Sequence, residues 1–142
     1  MNVTDVLLGE HGACYGLFAY LEAAAPGDLR AGAALLAAVI NPHARFENER
    51  LFPALEARIG PMGPLAVMRA EHREIEGALQ EALKAADASE ALSRARSALG
   101  VAREHFMKEE QVLFPMARRA LGNEELSRLG ERWAALRRVV SE

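Results

Sequence analysis

Residues 43–53 read HARFENERLFP, and residues 105–115 read HFMKEEQVLFP. The two stretches carry His, Glu, Leu, Phe and Pro at the same offsets, so the chain contains an internal repeat. The pairs Glu10–His11 and Glu71–His72 precede the two stretches at nearly equal intervals. We interpret the chain as two helical hairpins of about 60 residues each, because two copies are too few for a solenoid. The repeat therefore predicts a pseudo-symmetric helical bundle.

The composition favours an all-α fold, since alanine is abundant while Val, Ile and Thr are scarce. We predict an up-down antiparallel four-helix bundle over about residues 5–120, followed by an additional C-terminal helix. Glycines, prolines and a capping box over residues 87–90 place the five helices near residues 4–25, 28–58, 64–86, 89–120 and 123–140. Pro42, Pro53 and Pro115 lie inside these helices and are expected to kink or break them.

Length and charge limit the possible functions. With 142 residues, 51% of them hydrophobic and 26% charged, one domain spanning residues 1–142 is expected. The formal net charge of -3 argues against a nucleic-acid partner, because phosphate binding needs a concentrated positive field. The sequence has no long apolar run, no signal-peptide pattern and only one cysteine. We therefore expect a cytoplasmic protein with no membrane partner.

Three of the four histidines have a glutamate four residues later: His43 with Glu47, His72 with Glu76, and His105 with Glu109. Positions i and i+4 lie on one face of a helix. Chance would produce so many pairs in fewer than about one in a hundred shuffled sequences. A single pair of this kind is usually an exposed ion pair, but the duplication argues against that interpretation here.

The faces that carry these residues are otherwise apolar, so the polar side chains are expected to point into the bundle. Burying them without partners would cost several kcal/mol each, and a metal ion would remove that cost. Mixed nitrogen and oxygen donors suit iron or manganese, and zinc could occupy the same donors. The candidate metal ligands are His11, His43, Glu47, His72, Glu76, His105 and Glu109.

Several acidic neighbours have more than one interpretation. Glu110 lies five residues after the last histidine, and the duplicated spacing favours Glu109 over it as a ligand. Glu10, Glu71 and Glu104 directly precede histidines. Because adjacent helical positions point in different directions, we expect these three glutamates to be solvated.

Two side chains share the helical face of His11. Cys14 and Tyr15 follow it by three and four residues, and ordinary core filling is one interpretation of both. In the other interpretation, Tyr15 donates a hydrogen bond near a metal-bound species and Cys14 is a thiol open to oxidation.

With these residues identified, the chain resembles the hemerythrin family, specifically the bacterial hemerythrin-like or HHE cation-binding domains. The resemblance covers about residues 5–120 and rests on His11, His43-x-x-x-Glu47, His72 and His105-x-x-x-Glu109 in this order. It implies a four-helix bundle that holds a non-haem di-iron centre. By position, Glu47 and Glu109 would bridge the two irons. His11 and His43 would then cap one iron, and His72 and His105 the other.

One position departs from the family pattern. Oxygen-carrying hemerythrins have a fifth histidine one turn after the third, and Glu76 takes that place here. A carboxylate there adds negative charge and favours the ferric state, which argues against simple reversible oxygen carriage. We expect a protein that binds or reacts with dioxygen, peroxide or nitric oxide. The alternative is an iron-responsive or cation-binding sensor without turnover, with the C-terminal helix around Trp133 as a docking surface. The sequence does not rank carrier, sensor and enzyme.

Overall fold

The computed structural model describes residues 1–139, and all of the regular structure in that range is helical. The α-helices are α1 (Val3–Ala23), α2 (Leu29–Phe46), α3 (Phe52–Ile59), α4 (Gly63–Lys84), α5 (Ala88–Lys108) and α6 (Phe114–Arg137). A 3-10 turn at Pro26–Asp28 precedes α2, and π-helical turns at Glu47–Leu51 and Glu109–Leu113 join α2 to α3 and α5 to α6. The predicted all-α fold is confirmed.

Four rods make up the bundle: α1, the joined α2 and α3, α4, and α5 joined to the first part of α6. Gly122 interrupts α6 with a φ of 75°, a conformation that glycine adopts at little cost. The part of α6 after Gly122 is the additional C-terminal helix that the sequence predicted, and we call it the tail helix. It ends at Arg137, and residue 140, its predicted end, lies outside the described residues.

Capping side chains and a glycine lie at the ends of the rods. The side chain of Asn2 accepts a hydrogen bond from the backbone N–H of Thr4 at 2.9 Å. Asp87 accepts one from the backbone N–H of Glu90 at 2.8 Å, which confirms the predicted cap of α5. Gly60 ends α3 with a φ of 79°.

The prolines inside the rods do not end the helices. Pro42 lies within the continuous α2. Pro53 and Pro115 each lie two residues after the end of a π turn. The backbone N–H of the residue between, Phe52 or Phe114, bonds the carbonyl five residues earlier. A proline ring clashes with the carbonyl four residues before it, and the wider π turn accommodates the ring without breaking the rod. π turns often occur at functional sites.

The apolar core is divided into two clusters by a polar layer. One cluster, around Phe18, Leu36 and Leu79, fills the end of the bundle near the α1–α2 and α4–α5 connections. The other, around Leu7 and Phe52, fills the opposite end beneath the tail helix. The buried histidines and two buried glutamates lie between these clusters, so apolar side chains separate the polar layer from water on both sides.

The tail helix packs back on the bundle. Gly130 lies so close to the N-terminus that a methyl group there would collide with the carbonyl of Met1. Further along, Trp133 and Arg137 donate hydrogen bonds to Glu10 on α1. Among residues 1–139, none of the helices combines the length and apolar character that spanning a lipid bilayer requires.

Candidate metal centre

Four histidines converge in the polar layer, one from each of α1, α2, α4 and α5. All are buried, with exposed fractions of 0% for His11, 1% for His43, 5% for His72 and 0% for His105. Their Nε2 atoms meet in two pairs, His11 with His43 at 3.2 Å and His72 with His105 at 2.9 Å. Each pair comes from the two helices of one hairpin, as the repeat predicts.

Glu47 lies between the two pairs. It is the first residue of a π turn and is fully buried. Its Oε1 atom is 2.9 Å from Nε2 of His43 and 3.5 Å from Nε2 of His72. The carboxylate therefore contacts one histidine of each pair.

Glu109 occupies the equivalent position in the second repeat. It begins the other π turn and is also fully buried. Its Oε1 atom is 3.3 Å from Nε2 of His11 and 3.2 Å from Nε2 of His105. Of the two adjacent glutamates, Glu109 thus faces the histidine layer. Glu110 turns toward the outer edge of His11, where its carboxylate is 3.1 Å from Nδ1.

The two buried carboxylates provide a test of whether a cation fits this layer. All four oxygens of Glu47 and Glu109 are buried without a hydrogen-bond partner. Unpaired polar atoms in an apolar interior are costly, and a cation would satisfy these oxygens together with the histidine nitrogens. The ligand atoms form two groups, each spanning less than 4.8 Å: Glu47, His72, His105 and Glu109, and His11, His43 and Glu109. This mixed donor set suits a first-row transition metal.

A family comparison agrees with the site. The model of the hemerythrin HHE cation-binding domain matches residues 2–117 and, a second time, residues 64–142. The chain belongs to the hemerythrin family. The second match starts next to the first residue of α4, where the second hairpin begins. Comparisons with curated proteins and with solved structures found no significant match. Membership of the hemerythrin family implies cation binding, and the buried donors of this chain fit that role.

The charges in this hemerythrin site interact strongly. Burial disfavours a charge on His43, but the neighbouring carboxylates of Glu47 and Glu10 raise its pKa well above the usual value. Burial acts in the same direction on His105, whose contact with Glu109 raises its pKa. Burial raises the pKa of Glu109, but the surrounding histidines His105, His11 and His43 hold it well below the usual value. The carboxylates thus require positive charge nearby, which protons on histidines or a bound cation can supply.

The outer nitrogen of each histidine faces an oxygen of another helix. These Nδ1–oxygen distances are 3.1 Å for His11 and Glu110, 3.2 Å for His43 and Glu10, 2.8 Å for His72 and Asn48, and 3.4 Å for His105 and Glu71. Such partners orient the ring and fix which nitrogen is free to bind a metal. The first three of these contacts are hydrogen bonds, whereas Nδ1 of His105 lies near Glu71 without a hydrogen bond.

The expectation that Glu10 and Glu71 are solvated is wrong, because the side chain of each is only 13% exposed. A helical position next to a histidine points about 100° away from it, and here that direction faces the other helix of the same hairpin. Only Glu104, the third glutamate of this kind, is exposed. The Glu-His doublet at the same place in both hairpins is the sequence signal that distinguishes the two buried glutamates.

Glu10 also joins the tail helix to the histidine layer. It accepts hydrogen bonds from Nε1 of Trp133 and from Nε of Arg137, each at 3.0 Å. Burial raises the pKa of Glu10, but the hydrogen bonds and charges of His43 and Arg137 have a larger, opposite effect and bring the pKa down to about 2. Glu10 is therefore a carboxylate at neutral pH. Trp133 is half-buried against the bundle.

Both neighbours of His11 now have a defined environment. The hydroxyl of Tyr15 donates to Glu110 at 3.0 Å, and burial together with Glu110 raises the pKa of Tyr15 to about 12. Tyr15 thus donates a hydrogen bond to the same carboxylate that faces Nδ1 of His11. Cys14 is fully buried in the core, and burial raises its pKa to about 11. A protonated, buried thiol is chemically inert, so core filling describes Cys14.

Glu76 is not brought into the cluster. It is exposed, on the rim of a surface cleft that His72 also lines. The place beside Nδ1 of His72 is taken by Asn48, from the π turn after α2. Of the seven ligands predicted from the sequence, the structure therefore gathers six.

Proposed function

We propose that this hemerythrin-family chain is a non-haem di-iron protein that binds or reacts with dioxygen or a related small oxidant such as peroxide or nitric oxide. One observation carries the proposal. The four oxygens of Glu47 and Glu109 are buried without hydrogen-bond partners between two pairs of histidine Nε2 atoms. A pair of divalent cations satisfies this arrangement better than protons on the histidines do, because each cation can interact with several donors at once.

The proposed ligands follow the pairing of the histidines. His11 and His43 would hold one iron, His72 and His105 the other, and Glu47 and Glu109 would bridge them. Each carboxylate lies within 3.5 Å of one histidine from each pair, which supports the bridging role. The two donor groups share Glu109. Manganese or zinc could bind the same donors. The exposed Glu76 is outside this proposed set.

The chain itself would position the metal ions and protect them. Bound iron would supply electrons and an open coordination position for the oxidant. The hydrogen-bond partners at Nδ1 of His11, His43 and His72 hold protons there and leave the Nε2 lone pairs of these rings directed inward. The two apolar clusters on either side of the layer exclude bulk water.

Anaerobic reconstitution with Fe(II) tests the proposal. We expect about two irons per chain, and air exposure should produce ligand-to-iron charge-transfer absorption in the near ultraviolet. The isosteric substitution Glu109→Gln should lose bound iron, because it removes a charge from both donor groups. Glu104→Gln is the matched control, since Glu104 is exposed. Fewer than about one iron per chain, with no such absorption, would rule the proposal out.

A second candidate function is an iron-responsive or cation-binding sensor that acts through a protein partner without turnover. The link from His43 through Glu10 to Trp133 and Arg137 favours it, because a change at the metal centre would reach the tail helix directly. Metal binding should then raise the melting temperature and alter the fluorescence of Trp133, the only tryptophan. An unchanged melting temperature on adding Fe(II), Mn(II) and Zn(II) would exclude this function. A cytoplasmic location remains part of both proposals.

A further inference from the structure

The two ends of the histidine layer are closed to solvent in different ways. From this difference we infer that a small ligand of two or three heavy atoms reaches the metal centre at its His72 end, past Ala44, a route that presupposes the proposed metal centre.

Aromatic rings close the His11 end. The ring of Phe106 stacks on that of His11, with centroids 3.8 Å apart and planes 7° from parallel. Phe114 lies against the same imidazole at 5.4 Å, and Tyr15 meets it edge-on at 6.5 Å. With His11 completely buried, this arrangement leaves no path for a ligand along the face of its ring.

The repeat places smaller or more polar residues at the His72 end. Ala44 directly follows His43, and Phe106 directly follows His105, so the two residues occupy equivalent positions of the repeat. The His72 end therefore has an alanine at the position where the His11 end has the stacking ring of Phe106. Glu76 lies four residues after His72, the position equivalent to that of Tyr15 after His11, and Glu76 is exposed. His72 keeps one stacking partner, Phe52, at 5.7 Å. Its 5% exposure, small as it is, is the largest among the four histidines.

Two spaces that share lining residues lie at this end. A surface cleft of about 840 Å³ is lined by His72, Ala44, Asn48 and Glu76, among others. Behind it, a void of about 10 Å³ is lined by His43, His72, His105 and Ala44, among others. A void of that size holds roughly one water molecule. Asn41, Ala44 and His72 line both spaces, so these three residues stand between the cleft and the void beside the histidines.

The charges at the cleft also permit an anion. Four arginines line it, Arg45, Arg50, Arg73 and Arg137, against the two glutamates Glu49 and Glu76. A cationic mouth raises the local concentration of small anions and speeds their association. Azide, a three-atom anion that binds iron, is therefore a suitable probe of the route.

The test fills the void from the side of Ala44. Ala44→Phe places in the first repeat the residue that the second repeat carries at position 106. We expect it to slow azide association with the iron-loaded protein more than tenfold in stopped-flow absorbance, with unchanged iron per chain. Ala54→Phe is the matched control, because Ala54 is half-buried in a neighbouring groove that does not contact His72, and its association rate should equal that of the wild type. In crystals of the wild type soaked in azide, the anion should lie at the His72–His105 end.

Two results would overturn the route: an unchanged azide rate in an Ala44→Phe protein that holds normal iron, or azide bound at the His11–His43 end. If Ala44→Phe fails to fold or to load, Ala44→Leu takes its place, and the crystal position of azide in the wild type remains decisive. Failure of the di-iron proposal has a different signature, because the wild type itself would then hold too little iron for azide to bind.

Discussion

Replacing Glu10 with alanine removes one acceptor on which three donors converge. Its carboxylate is 3.2 Å from Nδ1 of His43 and accepts hydrogen bonds from Trp133 and Arg137. The substitution therefore leaves a buried imidazole nitrogen without its partner and removes the two hydrogen bonds that join the tail helix to Glu10. Both effects should weaken metal binding, because His43 loses the group that orients its ring.

The expected size follows from two independent estimates. Loss of the hydrogen-bond partner of a metal-binding histidine typically lowers metal affinity 10- to 100-fold, which corresponds to about 1.4–2.7 kcal/mol. Leaving a buried polar atom unsatisfied costs about 1–3 kcal/mol. His43 is only 1% exposed, so water cannot easily replace Glu10. We expect a loss of affinity of about 30-fold or more, in the upper half of this range.

Competitive titration of Co(II) or Fe(II) against a chelator under anaerobic conditions measures the effect. Glu104→Ala is the control, because Glu104 also directly precedes a histidine but is exposed. Its affinity should stay within twofold of the wild type. Trp133→Phe, which keeps an aromatic ring but loses the Nε1 donor, should have a smaller effect than Glu10→Ala. An affinity of the folded Glu10→Ala protein within threefold of the wild type would refute the reasoning.

Three further predictions concern other parts of the molecule. Gly130→Ala should lower the free energy of unfolding, measured in urea, by about 1–3 kcal/mol, because the new methyl group collides with Met1. Gly100→Ala should instead raise the free energy of unfolding by about 0.5–1 kcal/mol, because a methyl group there contacts nothing. Cys14 should react with a thiol reagent only after denaturant is added, and rapid reaction of the native protein would contradict its burial. Glu76→Gln should keep the wild-type metal content, and loss of one iron would identify Glu76 as a ligand.

The sequence predicted the parts of the site that depend on relations within one helix. Spacing of four residues puts His43 with Glu47, and His105 with Glu109, on one face wherever the helices pack. The duplication then predicts that the two pairs share one layer. Glu76 has the same spacing from His72 but lies outside the layer. The side chain beside Nδ1 of His72 is that of Asn48, which comes from another helix.

The partners of the outer nitrogens depend on packing between helices, which spacing does not encode. Glu10 and Glu71 adjoin histidines in the sequence but contact the histidine of the next helix. The contact between Glu10 and Trp133 joins residues 123 positions apart, and no local pattern predicts it. The π turns were not predicted from the sequence, although each of them lies just before a proline, Pro53 or Pro115.

The two repeats carry the same candidate metal ligands but differ in the residues that surround these ligands. The smaller and uncharged neighbours lie at the His72 end. His11 has a carboxylate, Glu110, at Nδ1, whereas His72 has the neutral amide of Asn48. A carboxylate partner makes an imidazole a more basic ligand, so His11 should hold its metal more strongly than His72. The weaker ligand is also the one beside Ala44 and the void. In the proposed metal centre, firm retention of metal and access for a small ligand would thus lie at opposite ends.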